Sequence, residues 1–193
     1  MNEFKIRASA SSKLATSPRN KSETLSETTK SYLKEWLIEQ KYGYKNELNN
    51  KYVYRGLADE DEAINKAIEL LDLPFVLKNE YRFENDFFTG TPDLIIDDCV
   101  FDIKCSWSCF TFPILENDLP NKDYLYQLQV YMALTGLKKA KLVYVLLDNE
   151  SIGHIYPIDC TRVKVFEIDY DQTIIDMLIE RVKEARNYLK SLT

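Results

Sequence analysis

The sequence predicts an α/β domain in which a central mixed β-sheet is flanked by helices. Three observations carry this. Segments with helical spacing of apolar residues lie near both ends of the chain. Short apolar segments bounded by turn residues cluster between them. One further helix-period segment, ended by Gly136, separates two of these strands. The 193 residues, 45% hydrophobic and 12% aromatic, are enough for one domain with a substantial core. Residues 1–193 are therefore read as a single domain. A basic N-terminal arm and helix occupy 1–55, and the core and a closing helix occupy 56–193.

Residues 1–22 are polar and serine-rich and read as a mobile arm or a docking loop. Leu25–Gln40 reads as a helix, with Leu25, Tyr32, Leu33, Trp36 and Leu37 at helical spacing and Ser22 or Ser26 as its cap. Residues 41–54 form a connector rich in Tyr, Asn and Lys. Leu57–Leu71 is a second helix, with Leu57, Ile64, Ala67, Ile68 and Leu71 on one stripe. Glu60 falls on that stripe, whereas Asp59, Asp61 and Glu62 lie off it. A carboxylate on a buried face is costly without a partner. In the first turn it also simply favours the helix dipole.

Residues 80–88 read as a strand. Residues 92–96 and 99–104 then read as a hairpin, with Asp97-Asp98 as turn chemistry. A two-residue loop sets Ile96 opposite Cys99 and Asp93 opposite Asp102. Side chains alternate across a strand, so Asp93, Asp102 and Lys104 share one face, and Leu94, Ile96, Cys99, Phe101 and Ile103 share the other. Facing carboxylates repel. Such a pair either tolerates a cost or uses a divalent cation to cancel it, and Mg²⁺ suits one or two carboxylates with several retained waters. Taken alone, the Asp-x-Lys pattern also fits a solvated strand face. After a loop over Ser106–Asn121, Asp123 caps a helix from Tyr124 to Thr135, with Gln127 and Tyr131 on one face. Leu142–Leu147 is a buried strand, Val163–Ile168 a strand at or near a sheet edge, and Ile174–Leu192 a closing helix.

Composition removes several function classes. With five glycines there is no glycine-rich phosphate loop. Cys99, Cys105, Cys109 and Cys160 contain no C-x-x-C pair, and His154 is the only histidine. Thiol-rich metal centres and His-based triads are therefore disfavoured. No apolar run approaches a membrane span, and no secretory signal is evident, so a cytoplasmic location is expected. The net charge of −6 is unevenly spread. Residues 1–55 carry 11 Lys/Arg against 6 Asp/Glu, and residues 56–193 carry 14 against 25. A locally basic region can still engage phosphate, because charges act within a Debye length.

The ordered set Arg55-Gly56-x-x-x-Glu60, Gly90-x-x-Asp93, Asp102-x-Lys104 and Gln127-x-x-x-Tyr131 resembles the PD-(D/E)xK nuclease superfamily. Within it, the set is most similar to the RecB-like and phage lambda exonuclease-like branch, and Tyr124–Gly136 looks especially like phage-encoded members. The resemblance covers roughly residues 52–147. It implies a restriction-endonuclease-like core and a Mg²⁺-dependent DNA exonuclease, with Mn²⁺ able to substitute. It implies that Glu60, Asp93, Asp102 and the backbone carbonyl of Ile103 hold the metal. Lys104 would hold and help activate water, and Gln127 and Tyr131 would support the lysine and contact DNA. More faintly, it places Ser9, Ser11, Ser12, Lys13 and Arg55 near DNA, and the basic charge of the N-terminal third adds Arg19. A single-strand annealing partner, a ring-like trimer and a host cytoplasm for a phage-encoded protein follow from the same resemblance. An endonuclease of the same fold, or a non-catalytic DNA-end or protein-binding module, are the alternatives.

Overall fold

A computed structural model describes residues 3–20, 22–44, 60–150, 153–157 and 159–192. Its centre is a four-stranded mixed sheet in the order β4-β5-β6-β7, formed by β4 (Leu94–Ile96), β5 (Cys99–Ser106), β6 (Lys139–Leu146) and β7 (Val163–Asp169). β5 and β6 are parallel, while β4/β5 and β6/β7 are antiparallel. The parallel pair requires a crossover, and α4 (Lys122–Thr135) supplies it. β7 is an edge strand, as predicted. Packed around this sheet are α1 (Ser12–Ala15), α2 (Glu27–Tyr42), α3 (Glu60–Leu70) and α5 (Gln172–Ser191).

The predicted strand over 80–88 is instead two short strands, β2 (Phe83–Glu84) and β3 (Phe88–Gly90), joined by a turn. The Asn85 side chain accepts from the Phe87 and Phe88 amides at 2.9 and 2.8 Å, which bends the chain back on itself. β3 also pairs in parallel with β1 (Ile6–Arg7), giving a second, three-stranded sheet in the order β1-β3-β2.

That pairing corrects the reading of the N-terminus as a mobile arm. Phe4, Ile6, Ala8, Ala10 and Leu14 are core residues, Ile6 and Leu14 fully buried. The Thr29 hydroxyl donates to the Lys13 carbonyl at 2.8 Å, and Arg186 of α5 donates to the Phe4 carbonyl at 3.0 Å. Alternate small and apolar residues here are core-facing positions of a short strand and turn.

Two apolar layers sandwich the central sheet. One face, with Val100, Ala140 and Leu142, packs against Leu128 and Met132 of α4 and residues of α5. The other face, with Leu94, Cys99, Phe101, Ile103, Val143 and Val145, packs against Ala63, Ile64 and Ala67 of α3. Burying each large aliphatic side chain contributes on the order of 1.5–3 kcal/mol.

Caps fix the helix ends. Ser26 caps α2 by accepting from Thr29 N. For α4 the cap is Asn121, not Asp123: Asn121 Oδ1 accepts from Asp123 N at 2.9 Å. Asp123 lies within the first turn, where its charge favours the dipole. Gly136 ends α4 with φ at +77°, a conformation that glycine adopts without a Cβ penalty.

Candidate active site

The hairpin forms in the register that the sequence predicts. Leu94 pairs with Phe101, Ile95 with Val100 and Ile96 with Cys99. Asp97 takes a left-handed φ of +52° in the two-residue turn, which a short polar side chain tolerates. One step beyond the ladder, Asp93 N donates to the Phe101 carbonyl at 3.2 Å. This places Asp93 opposite Asp102, on the face covered by α4.

Asp102 is 1% exposed. Its Oδ1 accepts from Gln127 Nε2 at 2.9 Å. The same nitrogen donates to the Tyr131 hydroxyl at 2.9 Å. Lys104 Nζ lies 2.7 Å from Asp102 Oδ2, and among the described residues Oδ2 has no other partner. Asp93 Oδ2 accepts from Ile103 N at 2.6 Å. The Tyr124 ring centre lies 4.9 Å from Lys104 Nζ.

Two parts of the site descend from backbone features. Gly90 of β3 is where Tyr131 crosses: a Cβ there would sit 2.8 Å from Tyr131 Cε1 and 3.0 Å from Ala8 Cβ. Only glycine permits this approach. Asn79 anchors the loop before β4, its amide donating to the Asp93 carbonyl at 2.8 Å and its side chain to the Pro92 carbonyl at 2.9 Å.

The electrostatics follow from burial and like charge. Burial, then the Asp102 charge, push the Asp93 carboxyl up to about 7, against the opposing pull of the Ile103 amide and Lys104. Burial alone would depress the Lys104 ammonium, but Asp102 and Asp93 outweigh it and hold Lys104 above its ordinary value. Burial and Asp102 push the Tyr131 phenol upward.

These features fit a hard divalent cation. The donors are carboxylate oxygens, one buried oxygen of Asp102 accepts no hydrogen bond among the described residues, and burial with the Asp102 charge disfavours ionised Asp93, which a nearby cation would favour. Glu60 begins α3 but pairs with Lys78 at 3.2 Å. Among the described residues, no group of three acidic or thiol/imidazole side chains is gathered as a metal cage. Glu60 still lies near enough to Asp93 to raise its carboxyl.

Other residues singled out in the sequence land differently. Gln127 and Tyr131 support Asp102 and each other, not Lys104 as expected. The reason is reach: α4 lies over the carboxylate, and Tyr124, one turn earlier, covers the lysine. Ser11 is fully buried and donates its hydroxyl to the Ala8 carbonyl at 2.7 Å. Ser12 is also buried. Ser9, Lys13 and Arg19 are exposed. Arg55, Gly56 and Leu57, with most of the predicted connector, lie outside the described residues. Sequence reasoning missed the roles of Tyr124, Asn79 and Gly90. The signal for Tyr124 is its place three residues before Gln127 and seven before Tyr131, on one helical stripe.

No family model and no curated protein matches the chain. Among solved structures it is similar to a phage-related exonuclease from Haemophilus somnus 129PT. That likeness has 27% identity and a TM-score of 0.84 over 99% of this chain and 96% of that one. It also shares its fold with an alkaline exonuclease from Laribacter hongkongensis, at 20% identity and a TM-score of 0.75, over 97% of this chain and 88% of that one. The latter has also been solved in complex with dAMP. In fold the chain is thus similar to exonucleases, in line with the resemblance of its ordered site residues to the phage-type branch of the PD-(D/E)xK nucleases.

Proposed function

We propose that the protein is a divalent-metal-dependent DNA exonuclease that hydrolyses phosphodiester bonds from the ends of duplex DNA. The observation that carries this reading is the Asp93–Asp102–Lys104 set on one hairpin, Asp102 buried and its two neighbours half-buried, in a fold similar to that of exonucleases. Asp93, Asp102 and the Ile103 carbonyl would hold the metal, with Glu60 joining from α3. When bound, Mg²⁺ supplies charge neutralisation at the phosphoryl group and a more acidic water.

The chain's own residues do the rest. Gln127, held by Tyr131, fixes the Asp102 carboxylate. Lys104 stays protonated, so it acts as a fixed cation that orients the attacking water and stabilises developing charge. Exposed Lys13 and Arg19, with Arg55, would contact backbone phosphates. The resemblance further supports a role in recombination, replication or repair beside a single-strand annealing protein, as a ring-like homo-oligomer. Size-exclusion chromatography with light scattering tests the last point.

The deciding experiment uses end-labelled linear duplex and covalently closed circles, with Mg²⁺, with Mn²⁺ and with EDTA. Progressive release of nucleotides from linear DNA, with circles resistant and EDTA abolishing activity, is the expected result. Full activity in EDTA overturns the metal reading. Rapid nicking of closed circles overturns the exonuclease reading in favour of an endonuclease.

A further inference from the structure

Lys104 and Tyr144 are register partners on the parallel strands β5 and β6. Their side chains therefore leave the same face of the sheet side by side. Tyr124, in the first turn of α4, lies over both. Its ring is 4.9 Å from Lys104 Nζ, and it meets Tyr144 edge to face, with centroids 6.4 Å apart at 74°. Tyr144 in turn meets Phe166 of β7 edge to face at 6.1 Å and 82°. Phe166 is core, 6% exposed. An aromatic strut thus runs from the core through Tyr144 and Tyr124 to the lysine.

Lysine is a point charge on a flexible stem. Its ammonium is fixed only where its surroundings hold it from more than one direction. Asp102 Oδ2, 2.7 Å away, provides one hold, and the negative face of the Tyr124 ring provides the second. Tyr124 sits at a helix start and is half-buried, so its own orientation depends on what it packs against. Tyr144 fills that place, and burial together with the adjacent Tyr124 keeps its hydroxyl a neutral phenol. Side chains that support a reacting group commonly decide whether it sits within productive reach.

We propose that Tyr144 is a positioning residue for Lys104: acting through Tyr124, it holds the ammonium beside Asp102, where water is to be oriented. This rests on the exonuclease reading of Lys104. The strut accounts for why an aromatic residue stands beside the lysine on β6.

The test compares Tyr144→Phe, Tyr144→Leu, Tyr124→Leu and the Leu/Leu double variant. Release of nucleotides from end-labelled duplex in Mg²⁺ gives kcat and KM, and DNA affinity in EDTA and thermal melts are read alongside. Displacing a reacting group by about 1 Å can cost on the order of 100-fold. Tyr144→Leu is expected to lower kcat by roughly 10- to 100-fold while KM and the EDTA affinity hold. Tyr144→Phe, which keeps the ring, is expected to retain most of kcat. The double variant should be no slower than Tyr124→Leu, because both act along one path. If Tyr144→Leu melts below the assay temperature, Tyr144→Met carries the same comparison. Unchanged kcat in a folded variant, or losses that multiply in the double variant, overturn the positioning role. A wild-type protein without metal-dependent nucleotide release overturns the exonuclease reading itself, so the two failures are distinguishable.

Discussion

Replacing Asp93 by asparagine isolates the cost that the paired carboxylates impose on the metal-free protein. In the folded chain the Asp93 carboxyl is pushed up to about 7, first by burial and then by Asp102. In the unfolded chain it titrates near its ordinary value of about 3.9. Between those values the folded protein binds more protons than the unfolded one. Its stability is therefore fully present below about pH 4 and is lost as pH rises through 7. A difference of about 3 pKa units corresponds to a ceiling of about 4 kcal/mol at about 1.36 kcal/mol per unit. The figure is a ceiling because the Asp93 carboxyl also feels the opposing charge of Lys104. For a domain of this size each kcal/mol moves Tm by about 2–4 °C.

The assay is thermal unfolding in EDTA from pH 5 to 8, for the parent and Asp93→Asn. The parent is expected to lose stability across this range more steeply than the variant. The substitution removes the titrating charge, and the new side-chain carbonyl can still accept from the Ile103 amide, which Asp93 now engages at 2.6 Å. Adding Mg²⁺ is expected to reverse the trend for the parent alone. On the proposed reading a divalent metal would bind the ionised carboxylate and release protons, so its stabilisation would grow with pH. A parent slope in EDTA identical to that of Asp93→Asn would refute the claim that buried like charge is stored at this hairpin.

Four other outcomes follow from the geometry. Gly90→Ala forces a Cβ to within 2.8 Å of the Tyr131 ring; it is expected to cost about 1–3 kcal/mol and to slow cleavage, checked by melting and kcat. Gln127→Leu leaves Asp102 Oδ1 and the Tyr131 hydroxyl without their shared donor. The expected loss is about 1–3 kcal/mol with a large fall in kcat, whereas Gln129→Leu, remote from the pair, should spare kcat relative to its stability loss. Glu60→Gln is expected to weaken metal binding by calorimetry and to slow cleavage while Glu62→Gln does neither; equal effects would mean that α3 does not turn Glu60 toward the site. Neutralising Lys13, Arg19 and Arg55 together is expected to flatten the salt dependence of duplex binding, by about 0.9 in log–log slope for each phosphate no longer engaged.

The hairpin was legible because two independent constraints agree on it. A period of 2 assigns each residue a face, and a two-residue turn leaves one register that buries Leu94, Phe101 and Ile103 together. The α4 motif was legible for a similar reason, since Gln127 and Tyr131 are one turn apart and Leu128 and Val130 between them are apolar. The N-terminal strand was not legible. It is two residues long, and its partner Phe88 lies 82 positions away in sequence, so no local pattern announces it. Gly90 appears in the sequence as one of few glycines, but only the crossing of Tyr131 explains it. The Asn121 cap was misplaced by two residues because Asn and Asp are equally good cap residues and both stand at the helix start.

The site's layout explains why its parts come from so many segments. A hairpin alone can bring two carboxylates together, but it cannot keep them there against their repulsion. Here three elements restrain the pair. Asn79 ties down the backbone at Pro92 and Asp93. Gln127 of α4 holds Asp102 from above. Lys104, on the same strand as Asp102, neutralises part of the charge. α4 can approach that closely because Gly90 clears space for Tyr131, and β3 carries Gly90 because β1 pins it in place. The N-terminal segment, with no acid of its own at the centre, is thereby coupled to the carboxylates through β3 and Tyr131. Weakening that segment at Ile6, fully buried in β1, should therefore reach the chemistry. Ile6→Ala is expected to cost about 2–5 kcal/mol. In a folded preparation below its melting point it should also lower kcat by more than Ile175→Ala, a similarly buried truncation in α5. Equal effects of the two on kcat at matched loss of stability would show that β1 serves the core alone.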